Sequence, residues 1–379
     1  MPTISFFLAT PGHPVDRVHP LWAQPLPQRR SPEKTTPKRD EITYGDLFSS
    51  VHHFCASDGW HRLRTASSTK LGRDVGIEEI GHVYVFLAKH GAFYHPARIQ
   101  FSIDDQPLSF VINVAASASG KKTLPIEVNA LKRLNAERPF GWFPTVYEAQ
   151  FDDLPLFLAD WFEGFHEFHL TQQQDLKEPA IMVWDGAAEP SFLSPNQAGA
   201  VYRDASMILT ASYDLLTGSQ IFPWHHAAGD FVVRTQNGKV MTRLITVRGY
   251  APMVVGKSEP RNEAEIVELL LLFLIHLSIR MRLDRFDGVS DVAWVPDRYL
   301  ASIVGGFFRG LELTTRMAGF PESFPALLRL FLARQPEKQL LFFAQQIAAS
   351  IYDDGSDEAD VIEKHLEIHI RCLKQFVSL

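Results

Sequence analysis

Leu156-Phe157-Leu158-Ala159-Asp160-Trp161-Phe162-Glu163-Gly164 is the stretch on which the reading of this chain turns. Its first seven residues carry the aromatic and aliphatic side chains of a buried strand, and Glu-Gly closes it. Upstream lie further short runs of β-branched and aromatic residues, at 81–88, 97–103, 109–115 and 145–151. One helical pattern interrupts them: Ile126, Ala130, Leu131 and Leu134 recur at helical spacing within 124–134, after a turn expected over Ser117-Ala118-Ser119-Gly120-Lys121-Lys122. Downstream the period changes. Ser194 before Pro195 predicts a capped helix start running to about 216, and Gln236-Asn237-Gly238-Lys239 predicts a hairpin between strands at 231–235 and 241–247. Helical patterns then follow near 262–284, 298–317, 324–333, 337–352 and 357–376.

The two ends of the chain are less regular. Seven prolines between 11 and 37 deny that segment both helix and strand ladder, so 1–41 is expected to be a Pro-rich, basic arm, partly irregular. A helix is expected over 42–64, around Leu47, Val51 and Phe54. With 379 residues, 46% hydrophobic and 21% charged, the chain is long and apolar enough for two packed domains. A formal net charge of -7 argues against a protein that coats nucleic acid. Cys55 and Cys372 make no CxxC pair, which points to a reducing, cytoplasmic setting rather than a disulfide framework or zinc ribbon. No membrane segment is expected, because the most apolar run, 267–279, contains Glu268 and His276 and is too short to span. The N-terminus carries no basic residue before its apolar patch and reads poorly as a signal peptide.

A small sheet holding one helix, then a strand leading into a helical half with a hairpin at its start, resembles the protein kinase and aminoglycoside phosphotransferase superfamily. The resemblance spans about 77–350 and rests on short motifs. Phe110-Val111-Ile112-Asn113-Val114-Ala115 resembles the strand that carries the V-A-I-K lysine, and Glu127 falls where the family places that lysine's acidic partner. The stretch 156–164 resembles the hinge strand, with Asp160, Trp161 and Phe162 at the border of a nucleotide or other small-ligand pocket. Pro223-Trp224-His225-His226-Ala227-Ala228-Gly229-Asp230-Phe231-Val232-Val233 resembles the catalytic loop and following strand, and the segment ending Val247-Arg248-Gly249 stands where the D-F-G motif belongs. The resemblance implies an α+β, kinase-like two-lobed fold: a small β-rich N-lobe with one helix over 42–163 and a larger, mostly α-helical C-lobe over 164–379. ATP and magnesium are the cofactors it implies.

Phosphoryl transfer on this fold needs a lysine on the phosphates, oxygen ligands for magnesium, and an Asp at the acceptor hydroxyl. Asn113 stands at the lysine position, His225 at the catalytic Asp, and Val247 at the metal-binding Asp. The turn Lys89-His90-Gly91-Ala92-Phe93-Tyr94 carries one glycine where phosphates would need close backbone approach. In this register Asp230 takes the place of the metal-binding Asn. A second register aligns Gly229-Asp230 with the phosphotransferase H-G-D loop and makes Asp230 the base. The expectation is a pseudokinase-like binding or regulatory module for a protein partner or small ligand; the alternative is an atypical phosphotransferase with Asp230, His225 and Glu127 redeployed. Glu127, without a lysine opposite, is expected to be solvated or met by another base such as Lys121 or Lys122. His166-Glu167-Phe168-His169 lacks the HExxH spacing and reads as a solvated turn, and a metal at His225, His226 and Asp230 is weighed against a hydrogen-bonded loop.

Overall fold

The structure, a computed structural model, describes residues 1–9, 12–27, 41–172, 178–186, 189, 191–225, 229–253, 262–288 and 290–378. The chain divides into two compact units: 1–136 with 144–163, and 137–143 with 164–379. The first is a mixed sheet with two helical segments, the second mostly helical.

In the first unit, β1 (Thr3–Leu8), β2 (His82–Leu87), β3 (His95–Ile103), β4 (Gln106–Val114), β5 (Val146–Gln150) and β6 (Leu156–Asp160) form one sheet in the order β1-β2-β3-β4-β6-β5. β1 runs parallel to β2 and every other pairing is antiparallel. Alternation is clean in β3, where Ala97, Ile99, Phe101 and Ile103 point into the core. β4 is buried on both faces over Leu108–Ile112, which is why its sequence reads as a continuous apolar run. β1 is the strand that the proline count concealed. Its Phe6 stacks on Phe48 at 4.7 Å between ring centroids, so the N-terminal apolar patch serves as an edge strand of the core.

α1 (Tyr44–Leu71) lays Leu47, Phe48, Val51, Phe54 and Cys55 into that core, with a Thr43–Asp46 capping box at its start. It is two helices rather than one. Asp58, Gly59 and Trp60 all have positive φ, at 52°, 64° and 62°, which breaks the ladder. A left-handed Trp costs on the order of 1–3 kcal/mol. Burying the indole, only 5% exposed, offsets that cost. α2 (Ala118–Glu137) begins inside the expected turn: the Ser117 Oγ accepts the Gly120 N–H at 3.0 Å, so Ser117 caps the helix.

In the second unit come β7 (Glu167–Thr171), β8 (Ala180–Trp184) and β9 (Ser191–Phe192), a three-stranded sheet. Glu167–His169 is therefore strand rather than solvated turn, His166 before it bridges to Val233, and His169 is buried. α3 (Pro195–Ala211) starts on the expected Ser194 cap, with Gln197 completing a capping box, and ends five residues early. β10 (Ser219–Ile221), β11 (Phe231–Gln236), β12 (Lys239–Leu244) and β13 (Tyr250–Pro252) follow. β11 and β12 form the Asn-Gly hairpin, with Asn237 and Gly238 at φ of 52° and 73° as a two-residue primed turn requires.

The helices α4 (Glu263–Arg280), α5 (Leu300–Met317), α6 (Phe324–Arg334), α7 (Glu337–Ile351) and α8 (Asp357–Val377) complete the unit, with the short pair β14 (Leu283–Arg285) and β15 (Val292–Trp294) after α4. α4 is buried nearly all round from Leu270 to Ile279. No helix among the described residues is long and apolar enough to cross a membrane.

Two histidines in this core are buried as neutral rings. His276 on α4 and His369 on α8 are 2% and 0% exposed, and burial, with Arg280 and Arg282 respectively adding repulsion, pushes each down to about 3. For His369 the ring contacts form a consistent chain: Arg282 faces Nδ1 at 3.4 Å, Nε2 meets Ser278 Oγ at 3.0 Å, and that hydroxyl donates to the Ile275 carbonyl. Unfolded, both rings would titrate near the ordinary 6.5. Their stabilisation is therefore complete above that pH and falls away as the pH drops toward 3. His225 is pushed down to about 4 and acts in the same direction, whereas Asp284 is lifted to about 7 by burial and acts in the opposite one. These last two roughly cancel. The helical unit is expected to lose about 4 kcal/mol between pH 7 and 5, or about 2 per histidine. Urea midpoints at pH 7 and 5 measure it; equal midpoints would rule out neutral buried imidazoles.

Candidate functional site

The segment from Ile221 to Tyr250 carries the residues of the catalytic-loop resemblance, and its geometry is set by three clamps. Phe222 N–H donates to the Gly249 carbonyl at 3.1 Å, and Gly249 must be glycine because a Cβ there would lie 2.4 Å from the Phe222 carbonyl oxygen. Arg280 on α4 donates from Nε to the Trp224 carbonyl at 2.6 Å and lies over the rings of Phe222 and Trp224, at 5.4 and 5.6 Å from their centroids. Ile245 N–H donates to the Asp230 carbonyl at 2.8 Å, extending the β11–β12 ladder by one rung.

Asp230 stands at the mouth of that hairpin, 1% exposed. Its carboxylate accepts three hydrogen bonds. Arg248 Nη1 donates to Oδ2 at 2.7 Å and Nη2 to Oδ1 at 2.5 Å, a fork-to-fork pair, and the His225 backbone N–H donates to Oδ2 at 2.7 Å. His225 is thus joined to Asp230 through its backbone rather than its ring. The ring is pushed down to about 4, chiefly by burial and next by the positive charge of Arg280, so it is neutral at physiological pH and too weakly basic to take up a proton efficiently. Val247 is fully buried and apolar, one residue before the arginine that pairs with Asp230. His226 lies outside the described residues.

The other candidates sit in the first unit. Asn113 is half-buried on β4, opposite Pro96 on β3 and Phe157 on β6. Glu127 on α2 is 1% exposed, so the solvated alternative does not hold for it. Asp160 does not stand open to a ligand. Its carboxylate meets Lys70 Nζ at 3.1 Å, accepts the Tyr147 hydroxyl at 2.8 Å and accepts the Thr145 N–H at 3.0 Å, tying β6 to α1 and to the start of β5. Trp161 lies under the Arg98 guanidinium at 5.1 Å, and that arginine forks onto Glu163 at 2.7 and 2.8 Å. Phe162 is half-buried. In the turn at 89–94, His90 is held between the Tyr44 hydroxyl at 3.1 Å and His95 Nδ1 at 3.0 Å.

Magnesium and ATP fit these side chains poorly. A divalent ion needs several oxygen ligands, and at the positions the resemblance would give to metal binding the chain offers a valine and a carboxylate already forked by an arginine. No three His, Cys, Asp or Glu side chains cluster as a metal site among the described residues. Asn113 brings no positive charge to a phosphate.

Arg248 is the residue whose role sequence reading missed. The signal was present: a cation directly after Val247, in a stretch, 215–258, whose only acidic residue is Asp230. A carboxylate entering a buried strand requires such a partner.

No family model matches the chain, and no curated protein does. Among solved structures, a kinase domain is similar at 10% identity and a TM-score of 0.26, covering 71% of this chain and 75% of its own. The Drosophila melanogaster PAN3 pseudokinase is similar at 13% identity and a TM-score of 0.28, covering 80% of this chain and 71% of its own. Likenesses this slight decide nothing about the chain.

Proposed function

We propose that this chain is a catalytically degenerate, kinase-like protein that works as a binding or regulatory module and does not transfer phosphate. The observation that carries the reading is the state of Asp230. Under either register it is the last acidic side chain available for metal binding or proton abstraction, and its carboxylate is buried and forked by Arg248. Both of its oxygens already accept from Arg248, and Oδ2 also accepts the His225 N–H. The neutral amide at Asn113 and the alkyl side chain at Val247 point the same way. The order of elements, β2-β3-β4-α2-β5-β6 followed by a helical unit with the β11–β12 hairpin, supports the kinase-like part of the reading.

Purified full-length chain incubated with ATP, with and without magnesium, tests this directly. The expected result is no magnesium-dependent turnover above a no-protein control. Turnover that Asp230→Ala abolishes while thermal unfolding stays cooperative would establish the phosphotransferase instead.

A further inference from the structure

Asn237-Gly238 is the one Asn-Gly pair in the chain; Asn113, Asn129, Asn135, Asn196 and Asn262 precede Val, Ala, Ala, Gln and Glu. An asparagine before glycine is chemically labile. The glycine nitrogen has no side chain beside it to hinder its approach to the asparagine amide carbon. Both residues are exposed at the tip of the β11–β12 hairpin, so water reaches the pair freely.

The folded turn nevertheless holds the reacting atoms apart. Ring closure requires the Gly238 nitrogen to lie on the same side of the Asn237 Cα–C bond as Cβ. A φ of 52° places Asn237 in the left-handed region, where ψ is about +47° and that nitrogen points nearly opposite to Cβ. Two further contacts keep the turn in this state. The strands pair through Gln236 and Lys239 on either side of it, and Gln197 on α3 donates from Nε2 to the Gly238 carbonyl at 3.3 Å.

We propose that Asn237 is a site of non-enzymatic backbone modification gated by the hairpin: it deamidates through a cyclic imide when the turn opens, and the isoaspartyl product cannot close the same turn. The Gly238 nitrogen attacks Cγ of Asn237 and forms a C–N bond, giving up its proton as the Cγ–Nδ2 bond breaks and ammonia leaves. Water then adds to either carbonyl of the imide, and the ring opens to aspartate or to isoaspartate. Nothing is oxidised or reduced. In isoaspartate the main chain runs through Cβ and Cγ, which inserts one methylene between positions 237 and 238. Register in a hairpin is fixed by its turn and loop length, so a two-residue turn has no slack for the insertion. The Gln236–Lys239 pairing is lost first, and the loosening runs along β11 toward Asp230 at the other end of the ladder. This chemistry is independent of the kinase-like reading.

The test is to age the full chain in mildly alkaline buffer, folded and in guanidinium chloride, and to follow the tryptic peptide 235–239 by mass spectrometry. The unfolded chain is expected to deamidate at Asn237 ahead of every other asparagine. The folded chain is expected to react there at least about tenfold more slowly, because only its open fraction reacts. Isoaspartyl chains, separated and returned to native buffer, are expected to unfold at a lower thermal midpoint than the Asn237→Asp variant, which carries the same charge on an unaltered backbone. Equal rates in the folded and unfolded chains, an unfolded chain that reacts first at another asparagine, or equal midpoints for the isoaspartyl chain and Asn237→Asp would overturn the proposal.

Discussion

Arg248→Ala is expected to destabilise the helical unit by about 3–5 kcal/mol, because it leaves the Asp230 carboxylate buried without its cation. The size follows from asymmetry. Arg248 is partly exposed and would lose little by itself, whereas the Asp230 side chain is 2% exposed and would keep only the His225 N–H among its present donors. The cost therefore falls on the stranded anion, and neutralising it should restore stability. Asp230→Asn placed in the Arg248→Ala background is expected to recover at least about 1 kcal/mol, since an amide is far less costly to bury than a charge. Chemical denaturation of the four members of that cycle reads both numbers. If Arg248→Ala alone costs less than about 1 kcal/mol, the fork does not hold Asp230, and the residue would again be available for chemistry.

Gly306→Val is expected to cost about 3 kcal/mol or more, at the overpacking end of what core substitutions do. Gly306 and Gly310 lie one turn apart on the α5 face that meets α3. A Cβ at Gly306 would lie 2.2 Å from the Arg203 carbonyl oxygen, and one at Gly310 would lie 2.6 Å from that of Met207. The obstacles are helix backbone, so relief requires α3 and α5 to separate. Separation would also stretch a polar clamp between this pair, Ser206 Oγ to the Ile303 carbonyl at 2.7 Å, and one just past the end of α3, Thr314 Oγ1 to the Tyr213 carbonyl at 3.0 Å. Gly305→Val, whose Cβ would meet nothing within 4 Å, is the control and should cost little, since valine is a better helix former than glycine. Thermal midpoints of the two variants compare directly, and equal losses would show that close helix approach is not what Gly306 provides.

Much of the local structure was legible in the residues. Five of the first unit's strands and its helix α2 followed from periodicity, and the Ser194-Pro195 cap and the Asn237-Gly238 turn were read from side-chain chemistry that acts over three or four residues. Elements whose formation depends on distant partners were not. β1 is stabilised by β2, some 79 residues further on, and by Phe48, and nothing in Thr3–Leu8 distinguishes it from an apolar arm. β7 lies where a run of polar histidines and a glutamate concealed the alternation, because His169 is buried against Trp184 rather than left in solvent. The break in α1 depends on burying Trp60, which helical spacing alone does not reveal.

The site divides along the same line. Sequence by itself determined the chemistry at the three positions that the kinase-like resemblance aligns with phosphoryl transfer, since an amide at Asn113, an imidazole at His225 and an alkyl group at Val247 are fixed by covalent chemistry in any fold. The fate of the carboxylates was decided only by tertiary structure. Asp160 and Asp230 are chemically alike, and only packing brought Lys70 to the first and Arg248 to the second. A side chain's charge is written in the chain, but its partner is chosen by the contacts that folding makes.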